Sequence, residues 1–157
     1  MKLDRIDRHI LSLLRNNARL PNKDLAERAQ IAPSTALERV RKMHVDKVIL
    51  GYHAEVAPHA IGINLQAMVA IRMTRHSRES LDAFRAHLRG LREVLAFYHV
   101  AGKDDFLAHV GVRDSEHLRD FVVSAFTQRE EVAHIETHLI FDFQRNPELP
   151  VYAVTDE

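Results

Sequence analysis

From Leu65 onward the hydrophobic period alternates between two residues and about 3.6, and the order of that alternation leaves few folds open. Leu65, Ala67, Val69, Ile71 and Met73 repeat at every second position, as in a strand with one buried face. Met68 and Ala70 make its other face partly apolar. Ser77 to Gly90 has helical spacing at Leu81, Phe84 and Leu88. Val94 to Val100 reads as a second strand, Gly102-Lys103-Asp104-Asp105 as a hairpin-type turn, and Phe106, Ala108, Val110 and Val112 as a third strand. Asp114 or Ser115 can cap a helix showing Leu118, Phe121, Val122, Ala125 and Phe126. A fourth strand is expected from about Val132 to Phe143, with Ala133, Ile135, Thr137, Leu139, Phe141 and Phe143 on one face. Strand, helix, strand, strand, helix, strand is the ferredoxin-like plan, a four-stranded sheet with both helices on one side. Its helix-free face would hold Met68, Ala70, Leu95 and Leu107. An apolar patch of that kind is unusual on a monomer, so two sheets are expected to pair face to face in a homodimer.

The N-terminal third keeps the helical period throughout. Leu3, Ile6, Ile10, Leu13 and Leu14 form the apolar face of a first helix, which Asn16-Asn17 and Pro21 end. Asn22 is suited to cap a second helix with Leu25, Ala26 and Ala29 on its narrow apolar face. Gln30-Ile31-Ala32 is a tight break, and Pro33 suits the first position of a third helix, where its missing N–H costs nothing. Ala36, Leu37, Val40 and Met43 are expected to be the buried face of that helix. Two short helices joined by a tight turn and braced by a third make a helix-turn-helix. A helix fits the DNA major groove, its N-terminal residues reach base edges, and its cations neutralise phosphate. Ser34 and Thr35 offer hydroxyls at the helix N-terminus, and Arg39, Arg41 and Lys42 supply charge, with Glu38 also on the surface. The alternative is that these positions are only the solvated side of an ordinary three-helix bundle; the spacing favours DNA binding. Val48-Ile49-Leu50-Gly51-Tyr52 favours a short strand, a wing or the start of a linker, and Pro58 and Gly62 mark the passage onward.

Charge separates the two parts. The chain of 157 residues holds 22 Lys plus Arg and 22 Asp plus Glu, yet its first 60 residues carry 11 basic and 7 acidic side chains. The remainder has the opposite imbalance, which suits a polyanion-binding part joined to something else. Without cysteine there is no disulfide, thiolate metal site or cysteine nucleophile. No apolar run approaches the roughly 18 residues of a membrane span, and the first residues turn polar at once, so a cytoplasmic protein without a signal peptide is expected.

Several stretches, in order and spacing, resemble the Lrp/AsnC (feast/famine) family of transcription regulators. They are Leu3-Asp4-Arg5-Ile6-Asp7 with Ile10-Leu11, and Asn17-Ala18-Arg19 with Leu25-Ala26. Ile31-Ala32-Pro33-Ser34-Thr35 with Arg39-Val40-Arg41-Lys42-Met43 looks like the recognition helix. Val48-Ile49-Leu50-Gly51-Tyr52 and Gly102-Lys103-Asp104-Asp105-Phe106 complete the match. The resemblance implies an α+β fold with an N-terminal winged helix-turn-helix over residues 1–52, a linker over 53–63, and a ferredoxin-like βαββαβ effector and dimerisation domain over 64–157. It implies double-stranded DNA as partner, assembly of homodimers to higher oligomers, commonly octamers, and an amino acid or related metabolite as effector, with no cofactor. The DNA-binding candidates are Asn22, Lys23, Ser34, Thr35, Glu38, Arg39, Arg41 and Lys42. The effector candidates are Val100, Ala101, Gly102, Asp104, Asp105 and Thr137. Asp105 is expected to pair with an amino group while loop N–H groups take a carboxylate. On the other reading, Gly102 merely turns the chain and Asp105 closes the turn.

Three departures from the family pattern stand out. Ala101 replaces a frequent hydroxyl residue before the loop glycine, and Ala32 replaces a Ser, removing a helix cap. At Asp46-Lys47 a glycine is missing, so a non-Gly residue must accept an unusual backbone angle or the turn must be reshaped.

Among 11 histidines, His134 and His138 share one strand face with Glu136, and His99 and His109 lie on predicted neighbouring strands. His134 and His138 would be roughly 13 Å apart, long for one ion, and no metal or catalytic residue is assigned. A polar face whose titration couples assembly to pH is the alternative. Two further readings of the same architecture are a sirohaem-decarboxylase-like enzyme and an effector-free architectural DNA-binding protein.

Overall fold

In a computed structural model the expected sheet forms with strand order β2-β3-β1-β4, all neighbours antiparallel. The strands are β1 (Leu65–Met73), β2 (Val94–His99), β3 (Phe106–Val112) and β4 (Val132–Ile140). Helix α4 (Arg78–Gly90) connects β1 to β2, and α5 (Ser115–Val122) follows β3. Residues 2–144 and 146 are described; the last part of the expected 64–157 domain, residues 145 and 147–157, lies outside them. The chain divides between Ala54 and Glu55, within the expected 53–63 linker, where Pro58–Ile61 forms a single 3-10 turn.

In the second unit the alternating residues of β1 and β3 are buried as their period requires, and they meet Phe84 and Leu88 of α4 and Leu118 and Phe121 of α5. Phe84, Phe106 and Phe126 are fully enclosed. Ser77 and Asp114 cap their helices, accepting from Ser80 N and His117 N. The helical stretch after α5 does not continue regularly: Val123–Thr127 is a π turn that still buries Ala125 and Phe126.

The fourth strand is shorter than its pattern. It ends at Ile140, opposite Gln66, one residue short of the start of β1 at Leu65, and beyond Phe141 the register has no β1 residue to pair with. Phe141 is 97% exposed. The helix-free face is also less apolar than expected. Met68 and Leu107 are half-buried and Ala70 buried, but the ladder sets His138 beside Met68, Glu136 beside Ala70 and His134 beside Arg72. A bulge between Val94 and Ala96 takes Leu95 out of alternation. Leu95 and Ile63 lie over Gly111, where a Cβ would come within 3.0 Å and 2.9 Å of their methyl groups and would push this cover aside.

The first unit holds α1 (Arg5–Asn16), α2 (Asn22–Ala29) and α3 (Pro33–Val45). Asp4 and Asp7 form a reciprocal capping box at the start of α1. The core is Ile10, Leu14, Leu25, Ala29, Met43 and Ile49, with Ala26 and Ala36 letting helix backbones approach closely. Asn22 is not the cap of α2. Pro21, already extended, occupies that position, and the Asn22 amide instead donates to Pro33 O at 2.8 Å, bracing α2 against the start of α3. Leu37 is not part of the buried face: it is 60% exposed.

The expected wing strand at Val48–Tyr52 does not form. Val48 N and Ile49 N both donate to Met43 O, wrapping the chain around the end of α3 and burying Ile49. Tyr52 packs edge-on against His44 at 5.3 Å. These residues serve a helix end rather than a ladder. Lys47, in the Asp46-Lys47 pair where a glycine was expected, takes φ +58, a left-handed angle that a side chain tolerates at some cost.

Candidate nucleic-acid interface and effector loop

Helix α3 begins at Pro33 after a turn in which Gln30 adopts φ +54 and Ile31 N returns to Ala26 O, closing α2. Ala32 provides no side-chain cap, nor does Ser34 replace one. The first-turn N–H groups of α3 therefore have no side-chain acceptor and suit an anion such as DNA phosphate. Ser34, Leu37, Glu38 and Arg41 are spaced i, i+3, i+4 and i+7, so they share one side of the helix, and all are exposed. Lys42 and Lys23 are exposed as well, and Thr35 is half-buried.

Arg39 departs from its expected role. Its Nη1 donates to Asp4 Oδ2 at 2.7 Å and to Asp7 Oδ1 at 2.8 Å, tying α3 to the capping box of α1. Asp7 is only 2% exposed, and Arg39 is its cation. The hydrogen bond from Asp7 N and then the Arg39 guanidinium hold the Asp4 carboxyl below the usual carboxylate range; the same two carboxylates raise the Arg39 pKa further. Arg39 is thus a clamp within the domain. Asn22, engaged by Pro33 O, likewise braces the motif from within. Ser34, Glu38, Arg41, Lys42 and Lys23 remain outward-facing, and Leu37 joins them. Spacing alone concealed Leu37, because a leucine at i+1 from Ala36 extends the same apolar stripe.

The loop between β2 and β3 makes a corner. Gly102 has φ +135 with open space at its Cβ position, so conformation and not crowding requires glycine there. Val100 N donates to Asp105 O, and Asp105 N donates to Ile71 O. The Asp105 carboxylate accepts from Met73 N at 2.7 Å and from His76 Nε2 at 3.1 Å. It closes the turn and takes up the N–H beside the bulge between Arg72 and Met73. Its neighbour Asp104 differs: it is half-buried, and its Oδ1 is enclosed with no hydrogen-bond partner, as is Arg72 Nε. Lys103 crosses to Glu136 at 3.2 Å and holds that carboxyl below its ordinary range. Ala101 is exposed and Val100 half-buried. Thr137 is not gathered with them: it pairs with Val69 on the helix-bearing side, whereas Glu136 faces the other way.

The histidines do not converge. Among the described residues no group of three or more His, Asp or Glu side chains is placed to hold a metal ion. His109 instead hydrogen-bonds Gln66 Oε1 at 2.8 Å and packs near Phe143, and burial lowers its pKa.

The AsnC-type helix-turn-helix domain matches residues 3–44, and the Lrp/AsnC ligand binding domain matches residues 66–145. The chain belongs to the Lrp/AsnC family. It is 43% identical over 143 residues to the HTH-type transcriptional regulator AldR of Mycolicibacterium smegmatis, covering 91% of this chain and 84% of that one. It is 30% identical over 140 residues to the leucine-responsive regulatory protein of Salmonella typhimurium, covering 89% and 85%. Among solved structures it is similar to a transcriptional regulator of Neisseria meningitidis in complex with L-Met, with a TM-score of 0.87, 26% identity, and 95% and 97% of the two chains covered. This Lrp/AsnC chain is accordingly a DNA-binding transcriptional regulator with a helix-turn-helix unit and an α+β ligand-binding unit. No described helix is long and apolar enough to cross a membrane.

Proposed function

We propose that this regulator reads an operator through the exposed side of α3 and answers to a free amino acid or a close relative of one. The observation that carries the DNA part is the outward stripe of Ser34, Glu38 and Arg41 beside an uncapped helix N-terminus. Phosphate contacts by Lys23, Arg41, Lys42 and the first-turn N–H groups of α3 set affinity and make it fall with salt. Base contacts from the N-terminal half of α3 choose the site.

The effector acts at the β2–β3 loop. The enclosed, partnerless Asp104 Oδ1 suits an ammonium donor, and the loop around Ala101 and Gly102 offers backbone groups to a carboxylate. The neighbour bound to L-Met supports this ligand class. Two sheets paired through their helix-free faces form a dimer, dimers assemble toward an octamer, and the ligand shifts that assembly through its different affinity for each state. The protein works in the cytoplasm, as a regulator and not a catalyst, with no cofactor.

A thermal-shift series with the twenty amino acids on the full chain tests this reading. At least one is expected to raise Tm and to change affinity for a selected operator, and Asp104→Ala to abolish both responses. Silence across the series, or a response unchanged in Asp104→Ala, would refute it. Light scattering is expected to give a mass of up to eight 18.0-kDa chains; an 18.0-kDa species at micromolar concentration would contradict the assembly.

A further inference from the structure

We infer that Leu37 is a specificity residue that reads a thymine C5-methyl group in each half-site of the operator. The inference rests on the operator-reading role proposed for α3. The core of the first unit is complete without Leu37: Ile10, Leu14, Leu25, Ala29, Met43 and Ile49 are buried together, and Ala36 and Val40 supply the inward side of α3. Leu37 is turned outward at 60% exposure, one residue from Glu38, with Ser34 and Arg41 one turn away on either side. A single exposed leucine is ordinary on a protein surface. This one lies in the first half of the helix that the helix-turn-helix arrangement presents to the major groove, amid the polar side chains that face the same way.

The chemistry of the groove narrows what such a side chain can recognise. Guanine, adenine and cytosine present hydrogen-bonding groups there, and thymine alone adds a methyl. Leucine offers no donor or acceptor, so it gains nothing from the first three and would desolvate the cytosine amino group without return. Against thymine it buries one methyl group. Arg39, two residues on, lies across the helix from Leu37 and is held by Asp4 and Asp7, so it does not enter that part of the groove.

Deoxyuridine lacks only that methyl, which makes the inference directly testable. Operators are selected from a randomised duplex pool with the full-length protein, and each thymine is then replaced singly by deoxyuridine. One thymine per half-site is expected whose replacement weakens binding about fourfold, the worth of one buried methyl. Leu37→Ala is expected to bind thymine and deoxyuridine alike at that position, and Leu37→Met to keep the preference. Arg41→Ala serves as control: it weakens every sequence and leaves the discrimination in place. If selection yields no preferred operator at all, the reading of α3 as the DNA-reading helix fails along with the inference. With an operator in hand, the inference alone falls if no thymine shows the effect, if Leu37→Ala retains it, or if Leu37→Met loses it. It falls equally if Leu37→Ala changes the sedimentation mass, because the leucine would then cover a contact between subunits.

Discussion

In the first unit a charged side chain, Asp7, is buried and answered by Arg39 from another helix. In the second unit, Phe84, Phe106 and Phe126 fill the space between a sheet and its helices, and the described core includes no charge. A helix-turn-helix must keep its outward side polar for DNA and has few residues left for a core. Here an ion pair and a capping box supplement that core. The sheet unit has one full apolar face for packing, so its charges are free for the loops and the outer face. Arg39 and Asp105 show the consequence. Both sit in motifs that suggest ligand binding, and both turn inward, but Arg39 joins helices whereas Asp105 closes a corner.

The comparison predicts where each unit breaks. Phe84→Ala removes an enclosed ring and should cost about 3–5 kcal/mol in urea unfolding, the largest of the effects expected below. Arg39→Ala strands the Asp7 carboxylate and should cost about 2–3 kcal/mol, less than for a fully buried pair because Arg39 is 28% exposed. DNA affinity should fall only as far as the domain unfolds, and return on cooling; weaker binding with Tm unchanged would put Arg39 on the DNA after all. Asp105→Ala leaves Met73 N without its acceptor and should lower stability by about 1–2 kcal/mol, with Asp105→Asn milder. Arg41→Ala should leave Tm in place and reduce the salt slope of DNA binding by about one for each phosphate that the guanidinium had neutralised.

The smallest effect concerns pH. The Asp4 carboxyl is lowered in the folded chain, so the unfolded chain binds its proton more readily. Its stabilisation is present above the ordinary value of 3.8 and is lost as pH falls through the folded value. Asp4→Asn should flatten acid unfolding below about pH 4 relative to the parent chain; identical curves would mean that the clamp rests on Asp7 alone.

Much of this was legible in sequence because period, caps and chain order are local. The spacing of Leu65 to Met73, the proline opening α3, and the Asp114 cap each depend on a few adjacent residues, and all three are present in the structure. Of the two outcomes open for the missing glycine at Asp46-Lys47, an unusual backbone angle or a reshaped turn, the structure has the first, at Lys47. The failures share one cause. Val48 and Ile49 have strand propensity, yet the Met43 carbonyl needed their N–H groups. Arg39 and Leu37 lie on the same helix, and what turned one inward and left the other outside was the position of α1, 32 to 35 residues earlier.

The sequence by itself determined the two-part architecture, the strand and helix order and the family, since hydrophobic period and motif spacing are properties of neighbours along the chain. Only the tertiary structure decided which charges serve ligands and which serve the fold. An ionised side chain goes to the nearest group of opposite charge, and that distance exists only once separate elements have packed together.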